Sequence, residues 1–553
     1  MTHRILIALI ALVIAGPAFA QGPGSGSLPT LELENVTVIG KRNVVLPKAR
    51  KGEVLDTAAY VLPAGDTLLF AQRISNLGGS GGTLPGYAEF QTPLKLDAEA
   101  SIGSYTSPRA MLRAEYVRNT YDVGGIVDFR NTAGHTDGAG ATSFLAGAHG
   151  SVAVGAEDTP FGHFRLSLAA EHESDDYRLY GEANPFDRTR AADRFTLGMQ
   201  GDERAAVRYG LALSLVNASI TDQQSGGSSD ASALTPRFNL GLGTDIDSTI
   251  AAALRFHFSS TSLRYGTPTQ TPASMSVLGE VTWHPSPVLT LAGGIIYASS
   301  QHSDSGSSSL LMPRISAQYR LNETLMLFAW FRPELRTASY DDRTMTAPYV
   351  GRDITLTPER VPVNLTAGAR LFSDTSALML EVRAFYQQSG NHPVVAAVAG
   401  PTSLAWVYTD AHIAGASASA RIAVGDRLSM TADATVQSAT TPGGEKLPMT
   451  PTADLRARAD YVIDPAARSF NLFASIAFQT GISASLSGAP NAIAAADDRL
   501  TSRVLVGCGA SYQVLRNLQA FAGITNLLNY RYDLWYNYSA PGFEVRGGIR
   551  IAL

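Results

Sequence analysis

The chain has 553 residues, of which 45% are apolar, and a formal net charge of −5 at pH 7. So mild an acidic charge on so long a chain argues against nucleic acid as a partner, because such proteins carry a basic surface. The length alone predicts about three or four ordinary domains, yet no linker divides the sequence after residue 95. The single cysteine, Cys508, cannot form an internal disulfide and is interpreted as a small apolar filler.

The first 20 residues are predicted to be a secretory signal peptide. A basic start at Arg4, an apolar run from Ile5 to Ile14 and an A-x-A spacing that ends at Ala20 are typical of one. No later apolar stretch approaches the roughly 20 residues that a membrane helix needs. We therefore expect cleavage after Ala20 and a mature protein that is periplasmic, secreted or in an outer membrane.

Two irregular segments come next. Residues 21–42 are predicted to be a flexible leader, rich in Gly, Ser and Pro, with one β-branched run near its end. Residues 43–95 form an arm that is rich in Pro and Gly and lacks the pattern of an obvious domain. We expect both to lie in the periplasm as a short N-terminal arm.

From residue 96 to residue 553, segments of about ten residues alternate between apolar and polar side chains. In residues 453–463 every odd position is apolar, while the even positions include four charges. One face in lipid and one in a wet lumen produce this period of two. About 22 such segments start near residues 96, 109, 122, 142, 163, 191, 204, 235, 246, 274, 286, 309, 322, 362, 375, 408, 426, 451, 468, 501, 516 and 543. The sequence therefore predicts an all-β fold, a transmembrane antiparallel β-barrel of about 22 strands.

The ends of the predicted strands give further expectations. The last strand, residues 543–553, alternates up to its final residue, and we expect it to pair with the first strand near residue 96. Long external loops are predicted at 334–362 and 390–406, and short periplasmic turns at 322–323 and 425–426. Aromatic residues near strand ends predict an interfacial girdle, with a substrate-contacting loop as the alternative; they are Tyr530, Tyr532, Trp535, Tyr536 and Tyr538.

Charged side chains on the polar face of the strands are the candidate lumen lining. They are Arg370, Glu381, Arg383, Asp454, Arg456, Arg458, Asp460, Arg546 and Arg550. Such charges either pair across neighbouring strands and hold the register, or line a permeation path and anchor an inserted arm. The alternation alone leaves both interpretations open.

Four pieces of the last third resemble, in order, the motifs of one family. They are 347–360 (APYVGRDITLTPER), 406–415 (WVYTDAHIAG), 446–461 (KLPMTPTADLRARADY) and 525–541 (TNLLNYRYDLWYNYSAP). In this order they resemble TonB-dependent receptors, β-barrels of the Gram-negative outer membrane. The resemblance implies a transport protein that contacts outer-membrane lipid, moves a solute across that membrane and uses no cofactor.

A segment of the leader resembles the TonB box, which pairs with the C-terminal domain of TonB. Its residues are Glu34, Asn35, Val36, Thr37, Val38, Ile39 and Gly40. Recognition by β-augmentation needs an extended, β-branched run on a flexible tether, as found here. The alternative is a strand fragment without a partner.

The chain departs from the family between this segment and the barrel. The family carries a folded plug there, whereas this chain has only residues 41–95 and lacks the plug's arginine-glycine motif in 76–87 (NLGGSGGTLPGY). The final residue is Leu553, where the family usually has Phe. The plug is therefore expected to be reduced or absent. The lumen could then be closed by residues 43–95, by inward-folded loops, or by a separate plug or accessory protein.

No motif points to catalysis. Residues 78–82 match G-x-S-x-G formally, but Pro85 and Gly86 follow where a nucleophile elbow needs a helix. The ten histidines show no metal-ligand spacing, so neither a catalytic nor a metal site is predicted. We expect a transporter and not an enzyme. The alternative is a plugless barrel that acts as a scaffold for a partner; an outer-membrane hydrolase with residues from separate strands is a third class.

Overall fold

A computed structural model describes residues 94–118, 120–155, 163–201, 207–265, 269–302, 306–373, 378–399, 402–463, 470–487, 489, 491–493 and 499–553. All of them belong to the unit of the chain that runs from Ala59 to Leu553. The predicted signal peptide, the leader and residues 43–93 of the arm lie outside the described residues. Within the described ranges, no helix is both long and apolar enough to cross a membrane.

Twenty-two long strands form one sheet. They are β1 (Leu94–Gly103), β2 (Ser107–Val117), β3 (Tyr121–Thr132), β4 (Ala141–Val154), β5 (Phe164–Arg178), β6 (Asp187–Gly201), β7 (Val207–Gln224), β8 (Gly227–Asp245), β9 (Ile250–Ser260), β10 (Ala273–Ser286), β11 (Leu289–His302), β12 (Gly306–Arg320), β13 (Leu325–Phe331), β14 (Glu359–Ser373), β15 (Leu378–Ala397), β16 (Leu404–Val424), β17 (Leu428–Thr440), β18 (Ala453–Val462), β19 (Phe470–Thr480), β20 (Arg503–Leu515), β21 (Leu518–Thr525) and β22 (Glu544–Ala552).

Each strand pairs antiparallel with its neighbours in the chain, and β22 pairs with β1 to close the barrel. At the seam the amide of Leu96 donates to the carbonyl of Leu553 at 3.0 Å, and the amide of Leu553 donates back at 2.8 Å. Next to this pair, Arg550 Nε donates to Asp97 at 2.8 Å. The predicted 22-strand barrel and its closure by the last residues are confirmed. The predicted strand starts lie within four residues of the observed ones except at β8, which begins at 227 and not near 235.

Because apolar and polar residues alternate with a period of two, they lie on opposite faces of the barrel wall. On β6, Phe195 and Leu197 are 52% and 46% exposed, while Arg188 and Arg190 on the opposite face are 1% and 3% exposed. An exposed apolar face on a closed barrel is the lipid-facing one, and the other face lines the lumen.

The connections divide between two rims. The long-loop rim carries the described parts of 104–106, 133–140, 179–186, 225–226, 261–272, 332–358, 398–403, 441–452, 481–502 and 526–543. The short-turn rim carries, among the described connections, 246–249, 287–288, 321–324, 425–427 and 516–517. Both predicted short turns are on the second rim. Leu94 and Leu553 lie there as well, because β1 leaves this rim and β22 returns to it.

One short helix and several short strands lie in the connections of the long-loop rim. They are α1 (Tyr340–Thr346) and the strand pieces Ser262–Tyr265, Thr269–Gln270, Glu334–Arg336, Ile482–Ser483, Arg499–Leu500, Asp533–Trp535 and Tyr538–Ser539. Ser339 caps α1 with a capping box that includes Asp342. The predicted long loop at 390–406 is wrong, because β15 and β16 extend to 397 and from 404 and leave a short connection. A bulge between Ser389 and His392 redirects this extension.

Candidate functional site at the long-loop rim

Four connections of the long-loop rim, 332–358, 441–452, 481–502 and 526–543, share one hydrophobic core, and we call them together the loop cap. The core contains Ala347, Val350, Val395, Ala397, Leu404, Met449, Ala477, Ile482, Ala484, Leu500, Leu505, Tyr532, Leu534, Trp535, Tyr538 and Ala540. Surface loops seldom bury apolar side chains on one another, because their backbone polar groups need water. The shared core therefore makes the loop cap a packed layer at this rim.

The tip of the β15–β16 hairpin lies between two apolar clusters. Val395 packs in the core of the loop cap, while Val394 packs with Leu447 and Leu486 in a second cluster. Successive residues of a strand point to opposite faces, and both valines are fully buried. The hairpin tip is thus covered on both faces, unlike the membrane-facing wall below it.

One carboxylate ties three connections together. Glu182, in connection 179–186, accepts hydrogen bonds from the amide of Ser403 at 2.8 Å, from the hydroxyl of Ser403 at 3.0 Å and from the hydroxyl of Tyr538 at 2.8 Å. Glu182 is only 8% exposed. Hydrogen bonds to an ionised group are stronger than neutral ones. This contact holds the loop cap to two neighbouring connections of the rim.

Aromatic rings surround this carboxylate. Tyr349 stacks on Tyr538 with ring centroids 4.0 Å apart, and Tyr180 meets both rings edge to face. His135 meets Tyr180 edge to face, and its Nε2 lies 3.3 Å from the hydroxyl of Ser539. The rings of four connections thereby form one aromatic layer over the rim.

Arginines of the wall hold connection 332–358 on the lumen side. Asp341 of α1 accepts from Arg190 at 3.4 Å and from Arg194 at 2.7 Å, and Arg237 contacts Asp342 at 2.9 Å. These arginines occupy the face of β6 and β8 that is opposite the exposed apolar side chains. The helix α1 therefore lies inside the barrel wall, and the connection folds inward and not away from the rim.

A second anchor holds the end of the same connection. Arg188 donates to both oxygens of Asp222 at 2.6 and 2.9 Å. Its other nitrogen donates to the carbonyls of Pro348 and Val350 at 2.9 and 2.6 Å. One buried guanidinium therefore joins the wall strands β6 and β7 to the loop cap.

Burial raises the pKa of the tyrosines in these connections. It raises the pKa of Tyr532 to about 12, and the pKa values of Tyr180, Tyr349 and Tyr538 also lie well above the ordinary value, mainly because burial disfavours the phenolate. The neutral phenols are thus part of the packed state of the cap.

We expect the loop cap to open in alkali. A tyrosine of an opened loop ionises at about pH 10, while the packed cap holds its phenol protons to higher pH. The stability that these tyrosines contribute is fully present below about pH 10 and is lost as pH rises through their raised values. Tyrosinate absorbance and protease cleavage of the loops should rise together. Titration of all tyrosines with a midpoint at about pH 10, while the cap stays uncleaved, would contradict this.

Replacing Glu182 by Ala should loosen the cap while the barrel stays folded. The change leaves the amide of Ser403 and the hydroxyl of Tyr538 without this acceptor, and each buried unsatisfied group costs about 1–3 kcal/mol. Limited proteolysis should cleave connections 398–403 and 526–543 faster than in the wild type. Asp187→Ala is the control, because Asp187 has a 68% exposed side chain and a 3.8 Å ion pair. Equal cleavage of both variants would refute the role of Glu182.

The predicted lumen charges lie on the inner face, mostly in ion pairs. Arg370 pairs with Glu381 across β14 and β15, as one interpretation expected, and Arg383 lies 4.0 Å from Glu381. In β18 the pairs run along the strand instead, from Arg456 to Asp454 at 2.9 Å and from Arg458 to Asp460 at 2.6 Å. Arg550 pairs with Asp97 across the seam. Residues two apart share a face, so these in-strand pairs do not hold the register between strands.

The remaining predicted sites divide into those outside and those inside the described residues. The TonB-box-like residues 34–40 and the G-x-S-x-G match at 78–82 lie outside them. Within the described ranges, no group of three or more His, Cys, Asp or Glu side chains could hold a metal ion. The interpretation of Tyr532, Trp535 and Tyr538 as a lipid-interface girdle is wrong, because these rings are at most 6% exposed and lie in the core of the loop cap.

The sequence pattern missed the residues that hold the cap. Arg188, Arg190 and Arg194 occupy alternating positions of a strand that was predicted only from residue 191, so two of them fell outside it. Glu182 lies in a connection and has no periodic signal. The nearest available signal in the sequence is the pair of adjacent acids at 341–342.

A family model described as the β-barrel of TonB-dependent receptor-like proteins matches residues 73–527, more than four-fifths of the chain. Several solved structures share the fold. The FrpB iron transporter from Neisseria meningitidis (F3-3 variant) has a TM-score of 0.66 at 12% identity, with 87% of this chain and 83% of that one covered. The copper transporter OprC has a TM-score of 0.64 at 14% identity, with 83% and 80% covered.

The ferric yersiniabactin uptake receptor FyuA from Yersinia pestis has a TM-score of 0.64 at 13% identity, with 83% of this chain and 80% of that one covered. No curated protein sequence matches this chain. The family consists of transporters and receptors of the outer membrane that contact lipid and TonB. The closed 22-strand barrel and the extent of the family match show that this chain belongs to the TonB-dependent receptors.

Proposed function

We propose that this protein imports a solute across the outer membrane and that TonB drives the import. The observation that carries the proposal is the loop cap. A barrel of 22 strands encloses a lumen too wide for its own wall side chains to fill. A passive pore needs an open mouth, whereas here four connections with a shared core and buried ion pairs pack at one rim. A barrel opening that packed connections cover is typical of a gated importer.

The two rims suggest the orientation. Long connections of bacterial barrels face the outside and short turns face the periplasm. The loop cap then meets the solute first. Leu94 begins β1 at the short-turn rim, so the chain enters the barrel from the periplasmic side. This is the compartment in which residues 34–40 would meet TonB, after signal-peptide cleavage behind Ala20.

The related structures suggest which solutes to test. They include an iron transporter, a copper transporter and an uptake receptor for ferric yersiniabactin. We therefore propose a metal or metal chelate as cargo, carried as substrate and not as a resident cofactor.

An uptake experiment tests the proposal. Cells with and without the protein, each with intact or deleted TonB, receive labelled iron, copper and ferric-chelate solutes. The proposal predicts accumulation of one solute only when both proteins are present. Equal accumulation in all four strains would contradict import. Accumulation that needs this protein but not TonB would contradict the coupling.

A further inference from the structure

Arg343 differs from the other buried arginines of the described residues. Together with Arg343, the described residues include five arginines that are at most 9% exposed: Arg188, Arg190, Arg343, Arg370 and Arg503. Arg188, Arg190 and Arg370 have carboxylate partners, and Arg503 donates to the side chain of Gln479 and to the carbonyl of Leu534. For Arg343, the described part of the chain provides no ion pair, and its Nε is buried without a hydrogen-bond partner there. A buried cation without a partner is costly, so it needs an explanation.

Aromatic rings surround the Arg343 guanidinium. Its Cζ lies 4.6 Å from the ring centroid of Trp406 and 5.9 Å from that of Tyr408. Such stacking stabilises the cation but leaves its N–H groups without acceptors. Arg343 Nε and Trp406 Nε1 are both buried and without a hydrogen-bond partner among the described residues. Two donors without acceptors thus lie in one stacked pair on the lumen side.

The acids next to Arg343 are already neutralised. Asp341 is paired with Arg190 and Arg194, and Asp342 is paired with Arg237 and with its own capping residue. These contacts turn the negative charge of α1 toward the wall. The charge of Arg343 is therefore not compensated by its own helix, and an anion is the ligand that would satisfy it.

We infer that Arg343 and Trp406 form an anion subsite, which binds a carboxylate or phosphate group of the transported solute. A guanidinium binds such oxyanions through two parallel hydrogen bonds, and the ring of Trp406 fixes its plane. The inference rests on the proposed import function, since it assigns the group to the cargo. Lipid phosphate has the same chemistry but is held at the outer face, whereas Arg343 lies inside the wall.

Citrate and inorganic phosphate are suitable probes of the subsite. The full-length protein in detergent is titrated with each anion at constant ionic strength, and both intrinsic tryptophan fluorescence and thermal unfolding are followed. We expect a saturable fluorescence change and an anion-dependent rise in the unfolding temperature. Arg343→Met should lose at least tenfold in affinity. Without anion, this variant should unfold at the same or a higher temperature, because replacing a buried ionic group by an apolar one is often neutral or stabilising.

Arg332→Met is the matched control, because Arg332 also stacks on a tryptophan, Trp330, at 4.8 Å. The control should keep the wild-type affinity. Binding of neither anion, or equal affinities of wild type and Arg343→Met, would overturn the subsite. A response to phospholipid vesicles in place of the soluble anions would assign the site to lipid and also overturn it. None of these results depends on TonB or uptake, so a failure of the subsite is distinguishable from a failure of the proposed function.

Discussion

Replacing Asp222 by Ala should lower the free energy of unfolding by about 3–5 kcal/mol, because it leaves a charged arginine buried without its carboxylate. Asp222 and Arg188 are 3% and 1% exposed. After the change, Arg188 keeps the carbonyls of Pro348 and Val350 as acceptors but loses its counter-charge. The midpoint of heat or urea unfolding in detergent measures the loss.

A double variant separates the buried charge from the anchor. Arg188→Met with Asp222→Leu removes both charges, so the unfolding midpoint should recover toward the wild type. The carbonyl of Val350 still loses its donor, while that of Pro348 keeps the hydroxyl of Tyr177, so protease should cleave connection 332–358 faster than in the wild type. If Asp222→Ala unfolds like the wild type, or if the double variant is no better than Asp222→Ala, the ion pair does not hold the cap as described.

Replacing Trp535 by Ala should open the loop cap and leave the barrel folded. Trp535 is fully buried in the cap core, and truncation of a buried Trp to Ala typically costs about 3–5 kcal/mol. The cost falls on the connections, since the ladder of the 22 strands does not depend on this side chain. Amide hydrogen exchange should therefore rise in 526–543 and 481–502 but stay slow in the strands.

Two further variants separate packing from other effects. Trp535→Phe keeps most of the ring volume and removes the buried Nε1 that has no partner among the described residues, so its exchange should stay close to the wild type. Trp283→Ala changes a side chain that is 47% exposed on the wall and should leave the cap protected. Fast exchange throughout the barrel in Trp535→Ala would mean that cap and barrel unfold as one unit, against the expectation of a separable cap.

The barrel was predictable because the environment of each strand determines the local pattern of apolar and polar residues. A strand between lipid and lumen must alternate, and the alternation in 453–463 or 543–553 is visible without any long-range contact. The even number of strands and the closure between Leu96 and Leu553 follow once the strands are counted. Only the extensions of strands into the loops were not predicted, as in β15, where a bulge interrupts the period of two.

The cap was not predictable, because its contacts join residues far apart in the chain and have no period. Glu182 and Ser403 are 221 positions apart, and nothing near either residue indicates the other. The aromatic residues at 530–538 show the same limit. Rings at strand ends are typical of a lipid interface, but here three of them turn inward to fill the core that the connections share. Local composition could not distinguish a position at the lipid interface from one in the core of the loop cap.

Binding of the full-length protein to the TonB C-terminal domain is the decisive test of TonB-driven import. Changing Val36 and Val38 to Pro removes backbone donors that β-augmentation needs. Changing Val44 and Val45 to Pro is the matched control outside the box-like segment. We predict binding by the wild type and by the control, and at least a tenfold loss in the Val36/Val38 variant. No binding by the wild type, or equal binding by all three proteins, would rule out TonB coupling through residues 34–40.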